Sequence, residues 1–142
     1  MTGRLVGSLY TEAMVLADEA RGYFDEVGRS DRDGLSPVAR VAFSCESLKV
    51  TTRLMHVIAW LLTRKAIAAG EIREDEATEG RRLGDPVESD ASVIVGLPDH
   101  ARAIIEASID LYDRVARVEH GMVEPEPDSP ALGLIRRLER AL

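Results

Sequence analysis

The sequence predicts an all-α fold: an elongated three-helix bundle that pairs with a second copy of itself and carries a flexible C-terminal tail. Three observations predict it. Small or apolar side chains recur at steps of three and four along three long segments of the chain. Capping and stop residues bracket those segments. The central segment is apolar on two faces, which is more than two neighbouring helices cover, so a further partner is expected.

The first helix is read from "SLYTEAMVLADEARGYFDEVG", where Leu9, Ala13, Leu16, Ala20, Tyr23 or Phe24, and Val27 share one face and Gly28 closes the segment. A polar turn, "RSDRDGL", follows at residues 29–35 and suits an antiparallel hairpin.

The second helix starts at Ser36 and Pro37, an N-cap and first-turn pair, and stops at Gly70. Between them Val38, Val41, Cys45, Leu48, Thr52, Met55, Ala59, Leu62, Ala66 and Ala69 form a heptad seam. A second stripe runs through Val50, Leu54, Val57 or Ile58, and Leu61, with Trp60 and Ile67 beside it. A helix over 37–69 would be about 50 Å long at about 1.5 Å per residue, longer than a sphere of this chain length is wide. Either stripe could face a sister chain. The preference of interfaces for tryptophan favours Leu54, Ile58, Trp60 and Leu61 as the dimer contact.

Pro98 opens the third helix, which places Ala101, Ile104 or Ile105, Ser108, Leu111 or Tyr112, Val115 and Val118 on one face and ends at Gly121. The connection over 71–97 is too long for a bare loop. Its "REDEATEGRRLG" portion is expected to add one or two helical turns, and "DPVESDASVIVG" to be irregular. Residues 1–120 are thus read as the bundle domain and 121–142 as an appendage. The appendage comprises an acidic proline-rich tether, "MVEPEPDSP", and a short amphipathic helix, "ALGLIRRLERAL". That last helix sets Leu134, Ile135, Leu138 and Leu142 opposite Arg136, Arg137 and Arg140; too short to be stable alone in water, it is expected to dock through its leucines and isoleucine or fray.

Composition narrows the function. A formal net charge of −7 and a pI near 5.0 provide no positive field for a phosphate backbone, so no nucleic-acid partner is expected. Arg81, Arg82, Arg136, Arg137 and Arg140 are the obvious basic cluster candidates. The apolar run from Leu54 to Leu62 is far short of the roughly 20 residues that span a bilayer, and the N-terminus lacks a signal-like apolar region, so a soluble cytoplasmic protein with no stable membrane insertion is expected. The single cysteine, Cys45, has no disulfide partner; on the heptad seam it should be packed away and inert.

No cofactor, metal or catalytic site is expected. His56, His100 and His120 have no histidine or cysteine three or four residues away, and His56 reads as a hydrogen-bonded residue at the edge of the core. No phosphate-cradling glycine loop or nucleophile elbow appears. Glu46 and Arg53 are the polar pair of note: seven residues apart, they share a face two turns along and could each bridge to a neighbouring helix, for example to Glu12, Arg21 or Arg114. The plainer alternative is two solvent-screened charges. A small ligand held between helices near Ala59, Ala66, Ala68 and Ala69 is a competing functional class.

The stretches "LYTEAMVLADEAR", "SCESLKVTTRLMHVIAWLLTRKAIAAGEI", "RLG" and "LPDHARAIIEASIDLYDRVARV" together resemble the RcdA family, regulators of CtrA degradation from alphaproteobacteria, over residues 8–119. The resemblance implies a homodimeric three-helix bundle with a flexible tail. It implies a non-enzymatic adaptor that brings cell-cycle transcription regulators such as CtrA to the ClpXP protease. The implied partners are a second copy of the chain, ClpX, the response regulator CpdR and client transcription regulators, and no catalytic residues are implied.

Overall fold

The computed structural model describes residues 2–77, 80–123 and 139–140. All regular structure among them is helical. Three long helices make the bundle: α1 (Thr2–Gly22), α3 (Pro37–Ala68) and α5 (Asp99–Val123). Two short helices, α2 (Arg29–Asp33) and α4 (Ala91–Ile94), lie in the connections, with a π-helical turn at Tyr23–Val27 and a 3-10 turn at Glu74–Glu76. At 32 residues α3 is about 48 Å long, and it packs against both α1 and α5.

The ends of α3 are built as its residues dictate. Ser36 takes extended backbone and its hydroxyl accepts a hydrogen bond from the Ala39 amide at 3.3 Å, while Pro37, which has no amide proton to satisfy, occupies the first turn. At the other end Gly70 adopts a φ of +74°. That left-handed residue lets the Gly70 amide reach the Ile67 carbonyl at 3.0 Å and the Glu71 amide reach the Ala66 carbonyl at 2.9 Å, the paired bonds of a Schellman cap.

Some boundaries move. α1 begins at Thr2, six residues before the predicted stretch, and the turn predicted at 29–35 holds the single helical turn α2. Gly121 lies inside α5, which continues to Val123, because an exposed glycine weakens a helix without terminating it when no left-handed cap follows. The boundary drawn after residue 120 therefore falls within a helix. The stretch "DPVESDASVIVG" contains α4, capped by the Asp90 carboxylate on the Ser92 amide at 2.9 Å.

The core lies along the common axis. α1 contributes Val6, Leu9, Ala13, Leu16 and Ala20, the π-helical turn after it Tyr23, and α5 Ala101, Ile104, Ile105, Leu111, Tyr112 and Val115, with Ser108 buried among them. These are the faces that the periodicity predicts, apart from the ends. Val27 is exposed, because the wider π-helical turn rotates it off the α1 stripe, and Val118 is half-buried.

On α3 the assignment of faces is reversed. The buried residues are Phe43, Glu46, Val50, Arg53, Leu54, Val57, Trp60 and Leu61. The heptad seam faces out: Val38, Val41, Leu48, Met55 and Leu62 are all exposed, and so is Cys45, contrary to its expected burial. The two stripes are two residues apart, about 200° around a helix, so only one can meet α1 and α5. The inner one carries the larger side chains, including Trp60, and buries more apolar area per turn. Positions 43, 46, 50, 53, 57 and 60 also keep an alternating three-four spacing; Glu46 and Arg53 interrupt it as an apolar pattern.

Candidate interaction face and buried polar link

The outer face of α3 is a long apolar strip on an otherwise highly charged chain. From Val41 to Leu62 the charged residues of the helix are Glu46, Lys49 and Arg53. Two of those are buried, and Lys49 is tied at 3.0 Å to Glu46 on the flank. The outer surface between them presents Cys45, Leu48, Thr52, Met55 and Ala59. Contiguous exposed apolar surface of this kind marks a site of association.

Beside the strip, α1 and α3 diverge to leave a groove of about 360 Å³. Ala17, Ala20 and Phe24 form its α1 side, and Leu54, Met55 and Ile58 its α3 side, with Arg21, Asp25, Ser47 and Thr51 at the rim. Met55 therefore belongs to both the groove and the strip.

The inner face holds the polar pair. Glu46 and Arg53 are 2% and 1% exposed, so the screened-charge alternative does not hold. They do not reach Glu12, Arg21 or Arg114. Their common partner is Ser89 in the segment before α4: its hydroxyl donates to Glu46 Oε1 at 2.5 Å and accepts from Arg53 Nη2 at 2.5 Å. Arg53 also donates from Nε and Nη2 to the Val87 carbonyl, at 3.0 and 2.8 Å, and from Nη1 to the Ser108 hydroxyl of α5 at 3.3 Å. Burial pulls the Arg53 guanidinium below its ordinary pKa, and the charges of Glu46 and Asp113 act in the opposite direction.

This link belongs to a strap. The chain from Gly80 to Asp90 runs antiparallel to α3, with Gly84 against His56, Val87 on Arg53 and Ser89 reaching Glu46. The Tyr112 hydroxyl donates to the Gly84 carbonyl at 2.5 Å, the Leu83 amide donates to Glu119 Oε2 at 2.6 Å, and His56 Nδ1 lies 3.1 Å from the Asp85 carbonyl. His56 is thus the bonded core-edge residue that its position predicts. A Cβ on Gly84 would meet the His56 ring at 2.5–2.6 Å, so only glycine lets the strap lie this close. Glu12 and Arg114 instead pair with each other across α1 and α5.

The dimer contact expected at Leu54, Ile58, Trp60 and Leu61 needs correction. Leu54, Trp60 and Leu61 are 3%, 1% and 0% exposed inside the single chain, so they have no surface to offer a sister copy, and Ile58 is half-buried at the groove. The greater burial value of the bulky stripe, which favoured it as an interface, is what draws it into the chain's own core. The alanines proposed to enclose a ligand do not face a common interior: Ala59, Ala68 and Ala69 are exposed and Ala66 half-buried. The tail candidates Leu134, Ile135, Leu138 and Leu142 lie outside the described residues, as do Arg136 and Arg137; Arg81, Arg82 and Arg140 are exposed.

Among the described residues no group of three or more histidine, cysteine or acidic side chains is arranged to hold a metal ion. No helix among them is long and apolar enough to cross a membrane.

Comparison with known proteins adds two findings. The family model described as "Protein of unknown function (DUF1465)" matches residues 1–142. Among solved structures the chain is similar to the crystal structure of RcdA from Caulobacter crescentus CB15, with a TM-score of 0.70 and 31% sequence identity over 88% of this chain and 97% of that one. No curated protein matches the sequence.

Proposed function

The chain belongs to the DUF1465, RcdA-like family, and from that premise we propose that it is a non-enzymatic adaptor of regulated proteolysis. It acts in the cytoplasm as a dimeric helical platform and brings cell-cycle transcription regulators such as CtrA to ClpXP, together with the response regulator CpdR. The observation that carries this reading is the apolar strip on α3, exposed along at least five turns and without a charged residue at its centre. A second copy or a client helix lying on Val41, Leu48, Met55 and Leu62 would remove that surface from water. The three-four spacing of the strip suits a helical partner.

The strip is the contact, and the residues beyond Val123 join a second recognition element to the platform, which raises its effective concentration at a client. The test uses Leu48→Glu combined with Met55→Glu. Both side chains are exposed, so the bundle should fold with little change in melting. Sedimentation at micromolar concentration should shift from two copies to one, and reconstituted ClpXP turnover of a client should fall. Client turnover that is the same with parent protein, charged-strip variant and no added protein would sink the adaptor reading.

A further inference from the structure

The groove between α1 and α3 has an apolar floor, and nothing among the described residues fills it. Its length along α3, from Ser47 to Ile58, is eleven residues, about 16 Å. Residues 134–142 would form a helix of about 13 Å, with Leu134, Ile135, Leu138 and Leu142 on one side. Glu139 and Arg140, which belong to its polar side, are helical and exposed. So short a helix is marginal by itself in water and gains stability by burying an apolar face.

Charge agrees with shape. The chain from Thr2 to Val27, which forms one wall of the groove, carries Glu12, Asp18, Glu19, Asp25 and Glu26 against Arg4 and Arg21. The terminal segment carries Arg136, Arg137 and Arg140 against Glu139. Asp25 stands on the rim, and Asp18, about two turns away and 3.6 Å from Arg21, is 81% exposed, so either can meet an arginine of a helix seated in the groove.

Reach agrees too. The Arg53 bond to Ser108 shows α3 and α5 level at those residues. The Tyr112 bond to Gly84, which packs on His56, shows that they run in the same direction. Val123 is therefore level with the end of α3, about 15 Å along the axis from Ile58 and roughly two helix diameters, about 20 Å, around the bundle, because α5 packs against α1 and α3 on the side away from the groove. Residues 124–133 can span about 33 Å when extended.

We propose that residues 134–142 dock as a helix in the α1/α3 groove of their own chain, with their apolar side on Ala17, Phe24, Met55 and Ile58. Seated there, the segment covers Met55 and so blocks one edge of the α3 strip. Docking needs neither protease nor client, so its failure would leave the adaptor reading standing, and the failure of that reading would leave docking standing.

Hydrogen exchange of the full-length chain, read by mass spectrometry, tests it against a free peptide of residues 131–142. Amides of 134–142 should exchange about tenfold more slowly in the chain than in the peptide, as a local opening equilibrium of that size dictates. Ile58→Glu in the groove and Leu138→Glu in the segment should each restore the peptide rate, while the amides of Ile104 and Ile105 keep their protection. Leu138→Glu alters no bundle residue, so it reports even if Ile58→Glu disturbs folding. Three results would overturn the proposal: exchange at the peptide rate in the parent chain, protection that survives Leu138→Glu, or protection that grows with chain concentration and so places the segment on a second copy.

Discussion

Replacing Arg53 with methionine should be the most damaging single change on the inner face of α3. The guanidinium is 1% exposed and bonds to the Val87 carbonyl, the Ser89 hydroxyl and the Ser108 hydroxyl. Methionine fills much of the volume, so the loss is polar. Val87 and Ser89 lose their donor, and Glu46, 2% exposed, keeps only Ser89 and the Lys49 contact at 3.0 Å. Removing one partner from a buried charged pair costs about 3–5 kcal/mol, against a total stability of about 5–15 kcal/mol for a domain. At roughly 3 °C per kcal/mol for a chain of this size, melting should fall by about 10–15 °C. Urea titration followed by circular dichroism measures the loss, and hydrogen exchange should show the amides of 85–90 opening before those of α5. The double variant Glu46→Leu with Arg53→Met removes both charges, and a buried pair replaced by apolar groups is often close to neutral. It should therefore be at least about 1 kcal/mol more stable than Arg53→Met alone, a coupling of the size expected for residues in one network. A single variant within about 1 kcal/mol of the parent, or strictly additive losses in the double variant, would refute the view that the two charges and Ser89 act as one unit.

Gly84→Ala should destabilise the protein by about 1–3 kcal/mol, since the new methyl group overlaps the His56 ring and lifts the strap from Tyr112; limited proteolysis between 80 and 90 would detect it. Burial raises the pKa of the Tyr23 and Tyr112 phenols, helped by Asp31 beside Tyr23 and by the charges of Glu119, Asp85 and Asp113 near Tyr112. Their folded-state values lie above the unfolded one of about 10, so their contribution is complete below about pH 10 and is lost as pH rises beyond it. Melting temperature should accordingly fall from about pH 10 upward, and less steeply in Tyr23→Phe compared with its own value at pH 8. By contrast, Glu12→Gln at the Arg114 pair should cost less than about 1 kcal/mol and even less at high salt, because both side chains are a third or more exposed.

The identity of the long helices was legible in the sequence because helix formation is read locally: the three-four spacing, Ser36 and Pro37 at the start of α3 and Gly70 at its end all lie within a few residues of the backbone they shape. The faces of α1 and α5 were legible for the same reason, each having one apolar stripe and hence one way to turn. α3 has two, and spacing favours neither. Its inward face was chosen by volume, through Phe43, Trp60 and Leu61, and by a chemical condition that no short window contains. Glu46 and Arg53 can enter a core only when a hydroxyl and a carbonyl wait there for them, and those come from Ser89 and Val87, more than thirty residues along the chain. Local pattern determined that helices form and where α3 starts and stops; the tertiary structure decided which side of that longest helix meets water, because burial of a charge depends on partners that only folding brings near.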